Sequence, residues 1–163
     1  MFHVGDKVIY PLQGVAQVEA VESKLIFGSD QQKFYILKIL NNNTTIMVPV
    51  ANAEDIGLRG LISPEDVDKV VDILKGKGEP MATNWAKRYR DNLDRLKTGS
   101  IFQLASVMRD LVLMKRSKEL SFGEKKMLDN VKSLIVDEIS YVQNISNSNV
   151  EKRLFQVIGE IQQ

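Results

Sequence analysis

Near residue 60 the hydrophobic pattern of this chain changes its period, and that one switch limits the fold to a β unit followed by a helical unit. Before the switch, "KVIYP", "GVAQVEAVESKLI", "KFYILKIL" and "TTIMVPV" alternate in the manner of strands and are rich in Val, Ile, Tyr, Phe and Thr. The pieces between them, "LQG", "FGSDQQ" and "NNN", are turn formers. Short strands on hairpin-length connections predict a small antiparallel barrel or a strongly bent sheet. A unit this small builds only a thin core and leans on the rest of the chain.

From Ser63 onward apolar residues recur at three and four. In "SPEDVDKVVDILKG", Ser63 can cap, Pro64 suits the first helical position, Asp66 falls in the first turn, and Val67, Val70, Val71 and Leu74 share a face until Gly76. "GKGEPMA" is a Gly/Pro connection. A second helix is predicted over 84–97, stopping at "TG", and a third from Ser100 through "IFQLASVMRDLVLMKR". Ser121 and Glu124 have capping-box spacing ahead of Met127, Leu128, Val131, Leu134, Ile135 and Ile139. Ser148 and Glu151 repeat that spacing ahead of Leu154, Val157, Ile158 and Ile161, which predicts a fifth helix. The expected fold class is α+β in two domains.

The residue inventory leaves little room for catalysis. A chain of 163 residues without cysteine has no disulfide, thiolate nucleophile or zinc ribbon. His3 is the single histidine and lies at the N-terminus, which excludes a histidine triad or a multi-histidine metal site. "GLRG" and "GKGEP" lack the strand-before, helix-after setting of phosphate-binding glycine loops. The carboxylate neighbours Glu54 with Asp55 and Asp137 with Glu138 read as solvated. No enzyme, metal or cofactor is expected. No stretch approaches the ~20 apolar residues of a membrane span, and "MFHVGDKVIY" has no signal-peptide pattern, so a cytoplasmic protein is expected, with no membrane partner.

Net charge is +1, but it is unevenly spread: residues 82–116 carry eight Lys/Arg against three Asp/Glu. Such a segment suits nucleic acid or an acidic partner, or a solvated helix face. It contains "TNWAKRYRDNLDRLKTG", with the one tryptophan of the chain. Trp85, Tyr89, Leu93 and Leu96 fall within about 80° on a helix, the mark of a buried stripe. Yet Trp85 lies in a first turn, where helical side chains lean past the helix end, and Lys87, Arg88 and Arg90 fan around it. An aromatic among cations at a helix start is also what a minor-groove wedge needs. Periodicity leaves both readings open. The aromatics Phe2, Tyr10, Phe27, Phe34 and Tyr35 can form a cation cage or, more simply, the packing of a tiny barrel.

The segments "GDKVIYPLQGVAQVEAVE" (5–22), "FYILKI", "VPVANAEDIGLR" (48–59), "TNWAKRYRDNLDRLKTGS", "VMRDL" (107–111) and "LSFGEKKML" (120–128) stand together in the order and spacing of one family. In these the chain resembles the CarD family (CdnL-type) of bacterial transcription regulators, nearly end to end. The resemblance implies a Tudor-like domain over residues 1–58, similar to the polymerase-interacting module of the transcription-repair coupling factor, that docks on the RNA polymerase β subunit. It implies a helical DNA-binding domain over 61–163 that touches the promoter minor groove at the upstream edge of the melted bubble. Positions matching the family's polymerase contacts are Lys24, Met47 and Pro49. Those matching its DNA surface are Trp85, Lys87, Arg88, Arg90, Phe122, Lys125 and Lys126. Some members carry arginine where this chain has Lys24 and Met47, so a more apolar, less salt-sensitive polymerase contact is implied. The function implied is a global initiation regulator that stabilises the open complex, acting as a monomer and reaching the nucleoid through polymerase. A polymerase-independent architectural protein on double-stranded DNA is the alternative.

Overall fold

The computed structural model describes residues 1–28 and 30–160. They form two compact units, Met1–Leu61 and Ile62–Gln163. Ile161, expected on the last helical face, lies outside the described residues.

The first unit is one antiparallel sheet of β1 (Lys7–Tyr10), β2 (Gly14–Ile26), β3 (Asp30–Ile39), β4 (Thr45–Pro49) and β5 (Arg59–Gly60), in the order β4-β3-β2-β1-β5. The "NNN" turn works as its composition suggests: Asn43 takes a left-handed φ of 59°, and the Thr44 amide donates to Asn42 Oδ1 at 2.9 Å. "FGSDQQ" is not wholly a turn, because Asp30, Gln31 and Gln32 already pair with β2. β2 bulges between Val18 and Ala20, which re-aims its outer half.

The expected barrel is not closed. β5 is two residues long and pairs with β1 alone, and β4 stops at Pro49, which has no N–H to give. The apolar face is covered instead by a 3-10 turn (Val50–Asn52) and by α1 (Ala53–Ile56), whose Ala53 joins Leu58, Val8, Ala16, Val18, Tyr35, Leu37, Ile39 and Val48 in the core. Of the N-terminal aromatics, Phe2 meets Tyr35 edge-on at 5.8 Å and Phe34 is buried. Phe27 breaks the expected core set, standing fully exposed where β2 turns toward β3.

The second unit consists of α2 (Pro64–Leu74), α3 (Trp85–Lys97), α4 (Ile101–Ser117), α5 (Phe122–Gln143) and α6 (Asn147–Glu160). Ser63 Oγ accepts the Asp66 amide at 3.3 Å, and Pro64 follows it at the first helical position. Ser121 and Glu124 complete their reciprocal capping box. The start of α6 is a correction. The capping hydroxyl is that of Ser146, which accepts the Asn149 amide at 3.2 Å, while Glu151 pairs with Lys132 at 3.1 Å. The box spacing favoured Ser148, but the helix already begins at Asn147 and Glu151 is taken by Lys132. Packing centres on α4 and α5, where Ile101, Leu104, Met108 and Leu111 meet Met127, Val131, Ile135 and Ile139, flanked by Val67, Val70 and Leu74 of α2 and Val150, Leu154 and Ile158 of α6.

Candidate functional site

In the first turn of α3, Trp85 does not take the buried place that the stripe offered it. Its indole stands 62% exposed at the first helical position. The buried face of α3 is Arg88, Asn92 and the stripe's Leu96, with the stripe's Tyr89 and Leu93 half-buried and packed against the core. A guanidinium can enter that face because a partner waits for it. Arg88 is only 4% exposed, and its Nε and Nη2 donate to Glu124 Oε2 and Oε1 at 2.7 and 2.9 Å. Its remaining Nη1 donates to the carbonyls of Ala82 and Thr83.

This overturns one residue of the expected DNA surface. Arg88 is enclosed and fully engaged, so it presents no charge to a phosphate. Glu124 is enclosed as well; hydrogen bonds from Arg88 outweigh burial and hold its carboxyl down to about 2, and Arg88 is raised in turn. The same Glu124 Oε1 accepts from the Ser121 amide and hydroxyl. One carboxylate thus caps α5 and clamps α3.

The clamp brings the two helix starts together. Tyr89 lies over Gly123 so closely that a Cβ there would sit 3.3 Å from its ring. Phe122, the first residue of α5, is 77% exposed, and Lys126 Nζ lies 5.8 Å from its ring centroid. Trp85 and Phe122 therefore occupy the first positions of two helices joined at their first turns. Lys87, Arg90, Lys125 and Lys126 are exposed on the opening turns of the same two helices. Lys87 meets Asp91 at 2.9 Å and Lys125 meets Glu119 at 3.1 Å, both solvent-facing pairs worth little. The α3 amides contribute less than a bare helix end, because Asn84 Oδ1 accepts those of Ala86 and Lys87.

In the first unit β4 is an edge strand, hydrogen-bonded to β3 alone. Met47 pairs with Ile36 and Ile36 with Ala20, while Pro49 pairs with Phe34 and Phe34 with Glu22. By strand alternation Met47, Pro49 and Lys24 share the outer face of the sheet, opposite the Tyr35–Val48 core face. Met47 is 48% exposed there. Lys24 Nζ lies 3.7 Å from Glu22, which offsets its charge locally.

Among the described residues no group of three or more His, Cys, Asp or Glu could hold a metal ion, and no helix is long and apolar enough to cross a membrane. The architecture is that of a two-unit protein with a strand edge on one unit and an aromatic, cationic surface on the other. Residues 2–62 match the family described as CarD-like/TRCF RID domain, and residues 69–155 match CarD, C-terminal domain. YdeB of Bacillus subtilis (strain 168), a candidate transcription factor by its name, is 31% identical over 151 residues, covering 93% of this chain and 98% of that protein. The chain belongs to the CarD family and is a transcription regulator.

Proposed function

We propose that the protein binds the RNA polymerase β subunit through the β4 edge and stabilises the promoter open complex through minor-groove contact at the upstream bubble boundary. The observation that carries this is the pair of exposed aromatics, Trp85 and Phe122, at adjoining helix starts whose opening turns also carry the exposed Lys87, Arg90, Lys125 and Lys126. A tryptophan left 62% exposed gains little for its own fold, and a wedge between base steps is a use for it. The match of residues 2–62 to the RID domain supports polymerase as the tether.

The mechanism is differential binding. Unstacking an intact step costs a few kcal/mol, whereas a junction already opened by polymerase presents the gap ready-made. The indole therefore favours melted over closed promoter, and it shifts that equilibrium by the difference in affinity and no more. The cations supply salt-dependent, sequence-independent attraction to phosphate. Tethering through β4 raises the local concentration of the helical unit at the promoter, so weak intrinsic DNA affinity suffices. At the edge itself a polymerase strand adds by main-chain hydrogen bonds, with Met47 as apolar anchor.

Two substitutions separate these roles. Trp85→Ala is expected to shorten the half-life of open complexes about tenfold, in line with the loss of one stacking contact, while co-purification with the β subunit persists. Met47→Asp is expected to abolish that co-purification and leave binding to free DNA unchanged. Unaltered open-complex lifetimes with folded Trp85→Ala would refute the wedge. Lifetimes that survive loss of β-subunit binding would instead identify an architectural DNA protein.

A further inference from the structure

The connection between α2 and α3 contains no helix or strand, yet side chains of α3 and α4 hold it at four places. Gly78, at a φ of 82°, lies where a Cβ would come within 2.8 Å of Leu113 and 3.2 Å of Asp110. The Glu79 amide donates to Asp110 Oδ1 at 3.2 Å. Asn92 Nδ2 donates to Met81 Sδ at 3.7 Å, and Arg88 donates to the Ala82 and Thr83 carbonyls at 3.2 and 3.3 Å. These anchors are themselves joined, since Arg95 donates to both Asn92 and Asp110 and Arg109 donates to Asp110. The last held residue, Thr83, is two before Trp85.

A residue at the first helical position has no intrahelical acceptor for its own N–H, so the chain before it as well as the helix after it decides how it is held. Nearest the indole, at Ala82 and Thr83, that preceding chain is held by Arg88. We propose that Arg88, clamped by Glu124, is the positioning residue of Trp85: it grips the strap leading into the indole with one nitrogen and the start of α5 with the other two. The planar guanidinium fork is what allows both grips at once. Glu124 is fully enclosed, so any influence it has on DNA passes through this geometry rather than through contact. The inference rests on the reading of Trp85 as a wedge. It adds that the wedge is pre-set and that its selectivity for open over closed DNA depends on a buried ion pair that never meets the nucleic acid.

The test uses the full chain and the fluorescence of its one tryptophan. Glu124→Gln and the double variant Arg88→Gln/Glu124→Gln are compared with wild type; the double leaves no uncompensated buried charge, so it carries the test if the single variant does not fold. Each is measured for Trp85 anisotropy decay and for affinity to a forked and a fully paired duplex of one sequence across a salt series. In folded protein, both variants are expected to show faster indole depolarisation and a five- to tenfold smaller preference for the fork, with an unchanged log–log salt slope. Wild-type anisotropy together with wild-type fork preference overturns the proposal. So does a slope reduced by about 0.9 in the double variant with wild-type anisotropy, which makes Arg88 a phosphate contact. Trp85→Ala run alongside keeps the two questions apart: an unchanged fork preference there defeats the wedge reading, while the anisotropy of the other variants still decides whether the pair holds the indole.

Discussion

The starts of α2 and α3 are built on opposite principles. At α2, Ser63 caps, Pro64 occupies the first position, and Glu65 and Asp66 set negative charge against the positive end of the helix dipole. Asp66 is lowered, chiefly by its hydrogen bond from Lys69. Everything that stabilises this start is within a few residues of it. At α3 only Asn84 follows that logic; the first turn holds no acid, and Trp85, Lys87 and Arg88 stand where local stability favours Asp or Glu. Its support comes from Glu124, 36 residues away in sequence. A helix start that breaks the local rule is here held from a distance.

The largest effect that can break this comparison is on stability. Arg88→Ala leaves Glu124 charged and enclosed without its main donor, and is expected to destabilise the helical unit by about 3–5 kcal/mol in urea unfolding followed by helical circular dichroism. A cost near that of an exposed arginine, within about 0.5 kcal/mol, would mean that the clamp contributes little.

Acid probes the same clamp more gently. The Glu124 carboxyl is lowered from 4.5 to about 2 in the folded protein, so the unfolded chain takes up its proton first as pH falls. Its contribution is therefore complete above about pH 4.5 and is lost as pH drops toward 2, a loss on the order of 3 kcal/mol. Subtracting the stability–pH curve of Glu124→Gln from that of wild type isolates it from Asp66, which is lowered in the same sense. A difference curve flat between pH 5 and about 2 would contradict the assignment.

The smallest change sharpens the contrast most directly. Ser63→Ala and Asn84→Ala each remove one cap and are each expected to cost about 1 kcal/mol. Only Asn84→Ala is expected to shorten open-complex lifetimes, because only that cap lies beside Trp85. Equal effects on lifetime would show that helix stability in general, rather than the geometry at α3, governs activity.

Local signals in the sequence carried much of the fold. Ser63, Pro64 and the Ser121–Glu124 box marked helix starts correctly because capping involves neighbours within four residues. Asn43 and its flanking asparagines marked a turn for the same reason. The 3-10 turn, α1 and β5 were not legible, since two to four residues show no period. Nor could the pattern of strands tell a closed barrel from an open sheet, which depends on whether β4 and β5 meet.

The candidate surface divides in the same way. Composition concentrated the cations in 82–116, and the resemblance pointed to Trp85, Phe122 and the lysines beside them. Periodicity, however, gave α3 a buried apolar stripe, whereas Arg88 and Asn92 take the interior and Trp85 does not. Hydrophobicity describes what a side chain loses by leaving water; it says nothing of the partner that can compensate a charge doing so. The sequence by itself determined the order of the units, the caps of α2 and α5 and the segment that holds the charge. Only the tertiary structure decided that Arg88 joins the buried face of α3 and Trp85 does not, because the carboxylate that admits Arg88 to the interior arrives from another helix.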